Sequence, residues 1–213
     1  LDDQIALLRD PSGQLTVAEV AAPDMQRRFV ALRQGVAQGF TRDAVWLRIP
    51  LRRDADAPAQ WRLEAGNAVI DDYRFYGPDG NGGYALILHA GDRQPFSARP
   101  CRYRHPLFPV VLPDDQLRVF YLRVESATGI MFALTLWQPD AFRLAAQSEL
   151  IVIGVAFGAI VTTLLMSFFT GVMIRDRRYL VYIGSCLFFG QFLATAAGFT
   201  SQFVFPDSPA IAD

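Results

Sequence analysis

Aromatic and arginine side chains recur in this sequence at a spacing that sets them side by side. Trp46 and Arg48, Arg74 and Tyr76, and Tyr121 and Arg123 each stand two positions apart, and in an extended strand residues i and i+2 project from the same face. A ring stacks on the apolar face of a sugar or on a partner's side chain, while a guanidinium offers five N–H donors to hydroxyls or carboxylates. Asp72 and Glu125 continue the set at the same spacing. Two readings of this face stand open. It is an exposed platform for a carbohydrate or a protein partner, or Trp46 and Tyr121 lie beneath a loop or the N-terminal segment while the arginines form ion pairs.

Other reactive groups are sparse. The two histidines, His89 and His105, have no metal-ligand spacing, and neither lies in a Ser-His-Asp or Cys-His arrangement. Neighbouring carboxylates Asp71 and Asp72 point to opposite sides of a strand, which spoils them as an acid–base pair. Asp79-Gly80-Asn81-Gly82 contains part of a calcium loop, but the distal Glu is missing and the residues are those a hairpin turn demands. Cys101 sits in the first half of the chain and Cys186 in a later apolar run, so they are expected to remain unpaired. No Gly-rich phosphate loop opens a helix. An enzyme is not expected, and no cofactor or metal is called for.

The elements that position the outward set read as β. Period-two alternation recurs in Val45–Leu51, Trp61–Ala65, Tyr73–Phe75, Tyr84–Leu88, Phe120–Val124 and Phe132–Leu136. Turn clusters at 66–67, 77–83, 91–92 and 113–115 separate them. Many short strands with regular turns point to a sandwich or barrel. Nearer the start, Ile5–Leu8 and Leu15–Val20 read as strands, and Met25–Leu32 as a short helix or extended lead-in. Pro139-Asp140 opens a helix through Phe142 and Leu144 that runs on without a flexible linker.

The rest of the chain is built for lipid. Leu150 to Ile174 is 25 residues without a charge, Arg175-Asp176-Arg177-Arg178 follows, and a second uncharged run extends from Tyr179 to Phe205. About 20 apolar residues cross the hydrocarbon core as a helix. An Arg-rich short loop stays in the cytoplasm, so the preceding domain and the tail from Pro206 are expected outside. With no ionisable residue inside either run, transport by these two helices is not expected. Gly154 and Gly158 in the first, and Gly190, Ala194 and Gly198 in the second, allow close helix approach.

Before the membrane, 17 arginines balance 17 acidic residues in residues 1–148, which leaves no electrostatic case for nucleic acid. The chain opens at Leu1 with neither Met nor a basic leader, so a signal peptide is expected to have been removed or trimmed.

Ala44-Val45-Trp46-Leu47-Arg48, Trp61-Arg62-Leu63-Glu64, Gly91-Asp92-Arg93-Gln94-Pro95-Phe96 with Arg99-Pro100, and Val119 to Val124 resemble the extracellular sensor domain of bacterial seven-transmembrane receptors with diverse intracellular signalling modules. Arg177-Arg178-Tyr179-Leu180-Val181-Tyr182 resembles the same family's membrane portion. The resemblance implies an all-β jelly-roll sandwich similar to carbohydrate-binding modules, seven spans, and a cytoplasmic histidine kinase or diguanylate cyclase. It divides the chain into a sensor domain over 1–140, a connector over 141–149, spans over 150–174 and 179–205 joined by a loop over 175–178, and an external tail over 206–213. Five spans and the output module are expected to be absent from this sequence. The expected location is the bacterial inner membrane with the sensor in the periplasm or extracellular space. The candidate ligand-binding residues are Trp46, Arg48, Tyr76, Arg99, Tyr121 and Arg123, for a glycan or small molecule. A periplasmic protein or a second copy of the chain is the alternative partner.

Overall fold

The computed structural model describes residues 4–32, 35–94, 101, 103–127, 129–196 and 199. Two antiparallel layers pack face to face. The larger is a six-stranded sheet in the order β2-β1-β4-β9-β6-β7, formed by β1 (Ala6–Asp10), β2 (Val30–Ala31), β4 (Ala44–Leu51), β6 (Asp72–Pro78), β7 (Tyr84–Ala90) and β9 (Arg118–Glu125). Opposite lie the three-stranded β11-β5-β8, from β5 (Gln60–Ala65), β8 (Leu107–Val111) and β11 (Leu134–Trp137), and the pair β10-β3, from β3 (Val36–Phe40) and β10 (Gly129–Phe132). This is the all-β sandwich, and a long apolar helix follows it.

Alternation explains the layers. Val45, Leu47, Ile49 and Leu51 from β4, and Phe120, Leu122 and Val124 from β9, point inward onto Leu63, Phe108, Val110 and Phe132. Each such side chain, taken fully out of water, stabilises the fold by roughly 1.5–3 kcal/mol. Tyr73, Phe75 and Phe108 knit the two layers at its centre, the Phe75 ring 5.1 Å from Phe108 and stacked at 5.5 Å on Phe120. Gly91 has φ 145, and a Cβ there would sit 2.1 Å from the Asp71 carbonyl, so only glycine lets the chain leave β7 beside that turn.

Three readings of the sequence change. Leu15–Val20 is not a strand: its end is the short helix α1 (Val17–Ala21), because Thr16 and Glu19 close a reciprocal capping box that satisfies both exposed amides. The segment Met25–Leu32 splits into the end of α2 (Pro23–Gln26) and the edge strand β2. Phe132–Leu136 is two strands that change sheets at Ala133, where the Gly66 amide donates to the Ala133 carbonyl.

After Trp137 the chain enters α3 (Pro139–Ile174), a single helix of 36 residues that includes the expected connector. At 1.5 Å per residue it is about 54 Å long, well beyond the ~30 Å hydrocarbon core, so its first turns stand clear of the lipid. It is long and apolar enough to cross a membrane. Arg175, with φ 54, ends it, and α4 (Arg178–Ala196) returns alongside. A Cβ on Gly190 would lie 3.7 Å from Ile160, and one on Gly171 2.8 Å from the Tyr179 Cβ, so both glycines sit where the two helices come close.

Candidate functional site

The outward face of the six-stranded sheet brings together five of the six sequence-predicted residues. Register sets Arg48 opposite Tyr121 and Tyr121 opposite Tyr76; one step along, Trp46 faces Arg123. Arg99 lies outside the described residues.

The face is covered. Residues 15–29, carrying α1 and α2, lie across it as a strap, and Leu15, Val17, Val20, Ala21, Met25 and Phe29 pack onto Leu8, Trp46 and Tyr121 to make a second, smaller core. Trp46 is 0% exposed and Tyr121 2%. The Trp46 indole stacks on Tyr76 at 5.7 Å, the Tyr121 ring meets Tyr84 edge-on at 4.9 Å, and Gln26 Nε2 donates to the Tyr121 hydroxyl at 3.0 Å. Burial, first, and then the Tyr121 charge and hydrogen bond push the Tyr84 phenol up to about 12. Arg48, Tyr76 and Tyr84 stay half-exposed at the strap's margin.

The strap is pinned at its entry. The buried Asp10 carboxylate accepts from the Ser12 hydroxyl and from the amides of Ser12, Gly13 and Leu15. Burial acts to raise its pKa, but these four donors outweigh it and hold the group below the usual carboxylate range. Arg123 Nη2 donates to the Gly13 carbonyl at 2.7 Å and pairs with Glu125, and its guanidinium lies 6.0 Å over the Trp46 ring. Asp72 gathers His89, Arg74 at 3.0 Å and Arg123 at 3.6 Å along the same face.

Donors nevertheless outnumber acceptors here. Trp46 Nε1 and Arg48 Nε are buried and have no hydrogen-bond acceptor among the described residues, and Arg123 Nη1, also buried, lies 3.6 Å from the Asp72 carboxylate, at ion-pair rather than hydrogen-bond distance. Leaving one such donor unmatched costs about 1–3 kcal/mol, and Trp46 and Arg48 stand two residues apart on the same face of β4.

A second cluster joins the sandwich to α3. Glu64 projects outward from β5 and accepts from His105 Nδ1 at 2.6 Å and from the Trp137 indole at 2.6 Å. Burial acts to raise its pKa, yet the bonds from His105 and Trp137, with the charges of His105 and Arg104, hold the carboxyl below its ordinary value. Phe142, in the first turns of α3, sits 4.9 Å from Tyr103 and under the Arg62 guanidinium at 5.6 Å. Two turns later Glu149 accepts from the Tyr103 hydroxyl at 2.5 Å and pairs with Arg104. Burial and the Glu149 bond push the Tyr103 phenol far above its usual range, so it stays a donor. Sequence reading missed this cluster because Tyr103, Arg104 and His105 lie in an irregular segment. Its signal was the Glu149 carboxylate standing alone at the lip of a 25-residue uncharged run.

The Asp79 loop is a turn. Its carboxylate accepts the amides of Asn81 and Gly83, while Gly80 and Gly82 take positive φ.

A family model described as 7TMR-DISM extracellular 2 matches residues 2–138, and one described as 7TM diverse intracellular signalling matches residues 149–213. No curated protein matches the chain. Among solved structures, a β-glucosidase from Kluyveromyces marxianus in complex with glucose is similar at 12% identity and TM-score 0.39, over 67% of this chain but only 17% of that one. The A domain of epithelial adhesin 9 from Candida glabrata, in complex with Galb1-3GlcNAc, is similar at 10% identity and TM-score 0.36, over 64% of this chain and 81% of that one. Likenesses this distant carry no weight for the ligand.

Proposed function

This chain belongs to the 7TMR-DISM family of membrane receptors, and from that premise we propose that its sandwich binds an extracytoplasmic ligand rich in hydrogen-bond acceptors, a carbohydrate or sugar acid, on the face beneath the strap. The observation that carries the reading is the pair of buried donors on β4 without hydrogen-bond acceptors among the described residues, Trp46 Nε1 and Arg48 Nε, beside Arg123, whose Nη1 has the Asp72 carboxylate only at ion-pair distance, 3.6 Å. Hydroxyl and carboxylate oxygens supply what these groups lack. Arg48 and Tyr76 form the open margin where a ligand first lands, and Trp46, Tyr121 and Arg123 form the floor. Because Trp46 is fully covered, ligand entry shifts the strap.

The strap's movement has a rigid route outward. β9 carries Tyr121 and Arg123 on one face and core residues on the other, the core reaches β5, and β5 is tied to α3 by Arg62 over Phe142 and, one step removed, by Glu64, whose partner Trp137 packs against Phe142 at 6.2 Å. The helix then delivers the change across the inner membrane, with Arg175, Arg177 and Arg178 on the cytoplasmic side, to a histidine kinase or diguanylate cyclase module. A protein partner or a second copy is the competing ligand, favoured by one observation: β7 is an edge strand whose Leu86 and Ile87 are 50% and 40% exposed.

Tryptophan fluorescence tests the reading. With Trp61 and Trp137 replaced by Phe, the remaining Trp46 emission in the full chain is expected to shift on adding a saccharide that binds. Saturable binding with no change at Trp46 places the ligand elsewhere.

A further inference from the structure

A second cavity lies at the open edge of the sandwich, away from the buried donors. β2 covers β1 only at Ala6 and Leu7, so from Leu8 onward that side of β1 has no neighbouring strand. A cleft of about 520 Å³ fills the gap between β1, β2 and β3, a volume typical of small-molecule sites. Its apolar surface is mainly Val30, 69% exposed, with the β1 edge at Leu7 and Leu8, whose side chains turn to opposite faces and are buried in the main core and the strap core. Its polar groups are cationic or neutral. Arg9 donates to Gln38 Oε1 from Nε at 2.9 Å and from Nη2 at 2.6 Å, and Arg28 Nη1 reaches the Met25 sulfur at 3.4 Å. Among the described residues neither guanidinium meets a carboxylate.

We propose that this cleft binds a small monocarboxylate with an aryl or short alkyl body. The carboxylate lies between Arg28 and Arg9, whose planar forks match its geometry, and the apolar body lies against Val30 and the edge of β1. Inorganic phosphate lacks the apolar body that this surface rewards, and a neutral sugar leaves both charges uncompensated. Arg28 belongs to the strap and Arg9 to β1, so the carboxylate ties the strap's exit to the sandwich. A ligand here holds the strap down, whereas a ligand on the donor-rich face lifts it. The two sites share only Leu8, which packs beside Trp46, and the cleft's charged residues are its own whether or not the other face takes a glycan.

Fluorine NMR on the full chain in detergent tests this with 4-fluorophenylacetate and its neutral amide, 4-fluorophenylacetamide. The carboxylate is expected to bind saturably and about tenfold or more tightly than the amide, as charged hydrogen bonds require. Arg28→Ala, an exposed position, should weaken it by about tenfold, and Gln38→Glu should do so too by neutralising Arg9. Arg42→Ala, outside the cleft, should leave it unchanged. Protection of the strap's amides from hydrogen exchange should rise with the carboxylate in the wild type and not in Arg28→Ala. Equal binding of acid and amide, unchanged binding in both cleft variants, or no saturable binding at millimolar probe overturns the proposal.

Discussion

The strap-covered face and the α3 junction are both partly buried, both rich in aromatic rings and arginine, and opposite in their hydrogen-bond balance. At the junction Glu64 has two neutral-or-cationic donors and Glu149 two more, so the carboxylates of that cluster are matched on the spot. Beneath the strap the buried donors of Trp46 and Arg48 stay unmatched among the described residues, and the cover is held mainly by apolar contact and by bonds at its entry. A buried carboxylate matched by its donors holds its neighbours in place, while an unmatched buried donor is costly and favours whatever supplies the missing partner. In the function proposed above the two regions have separate work: the junction transmits and the covered face receives.

Breaking the receiving side should cost most. Trp46→Ala removes the centre of the second core and is expected to lower the unfolding free energy by about 3–5 kcal/mol, read by denaturant titration. A loss near zero would mean the strap is not held by that core.

The junction should respond more to pH. Glu64 has its folded pKa below the unfolded value of 4.5, so its stabilisation is complete above that value and is lost as pH falls through the lower, folded pKa. Glu64→Gln should cost roughly 1–3 kcal/mol at pH 7 and flatten the acid limb of the stability profile. An acid limb identical to the wild type would remove Glu64 from the clamp.

The smallest effect sharpens the comparison most. Thr16→Ala breaks the α1 cap and should cost about 1 kcal/mol, with faster amide exchange confined to residues 15–29. Exchange that rises equally at Phe142 to Glu149 would show that strap and junction open as one unit.

How much of this was legible in the sequence follows from which forces act locally. Strand faces were readable because period two is set by each strand alone: Val45, Leu47 and Ile49 point in, and Trp46 and Arg48 point out. What lies on top of an outward face is a long-range matter. Burial of Trp46 and Tyr121 depends on Val20, Met25 and Phe29, which carry no sign of their destination. Even so, Thr16-x-x-Glu19 was a local helix signal in plain view, and reading 15–20 as a strand overlooked the capping box. The junction was hidden for another reason. Glu64, His105, Trp137 and Glu149 are far apart in sequence, and only the β5–β8 and β5–β11 registers with the return of α3 bring them together.

The central claim is that the donor-rich face beneath the strap receives an acceptor-rich ligand. Its most direct test is a thermal-shift screen of the full chain in detergent, run on wild type and Arg48→Ala side by side, against glucose, galactose, glucuronate and galacturonate. Binding to the folded state alone raises the melting temperature. The account predicts that at least one saccharide raises it in the wild type and that the rise disappears in Arg48→Ala. A cooperative wild-type transition that no saccharide moves, or an equal rise in both proteins, would contradict it.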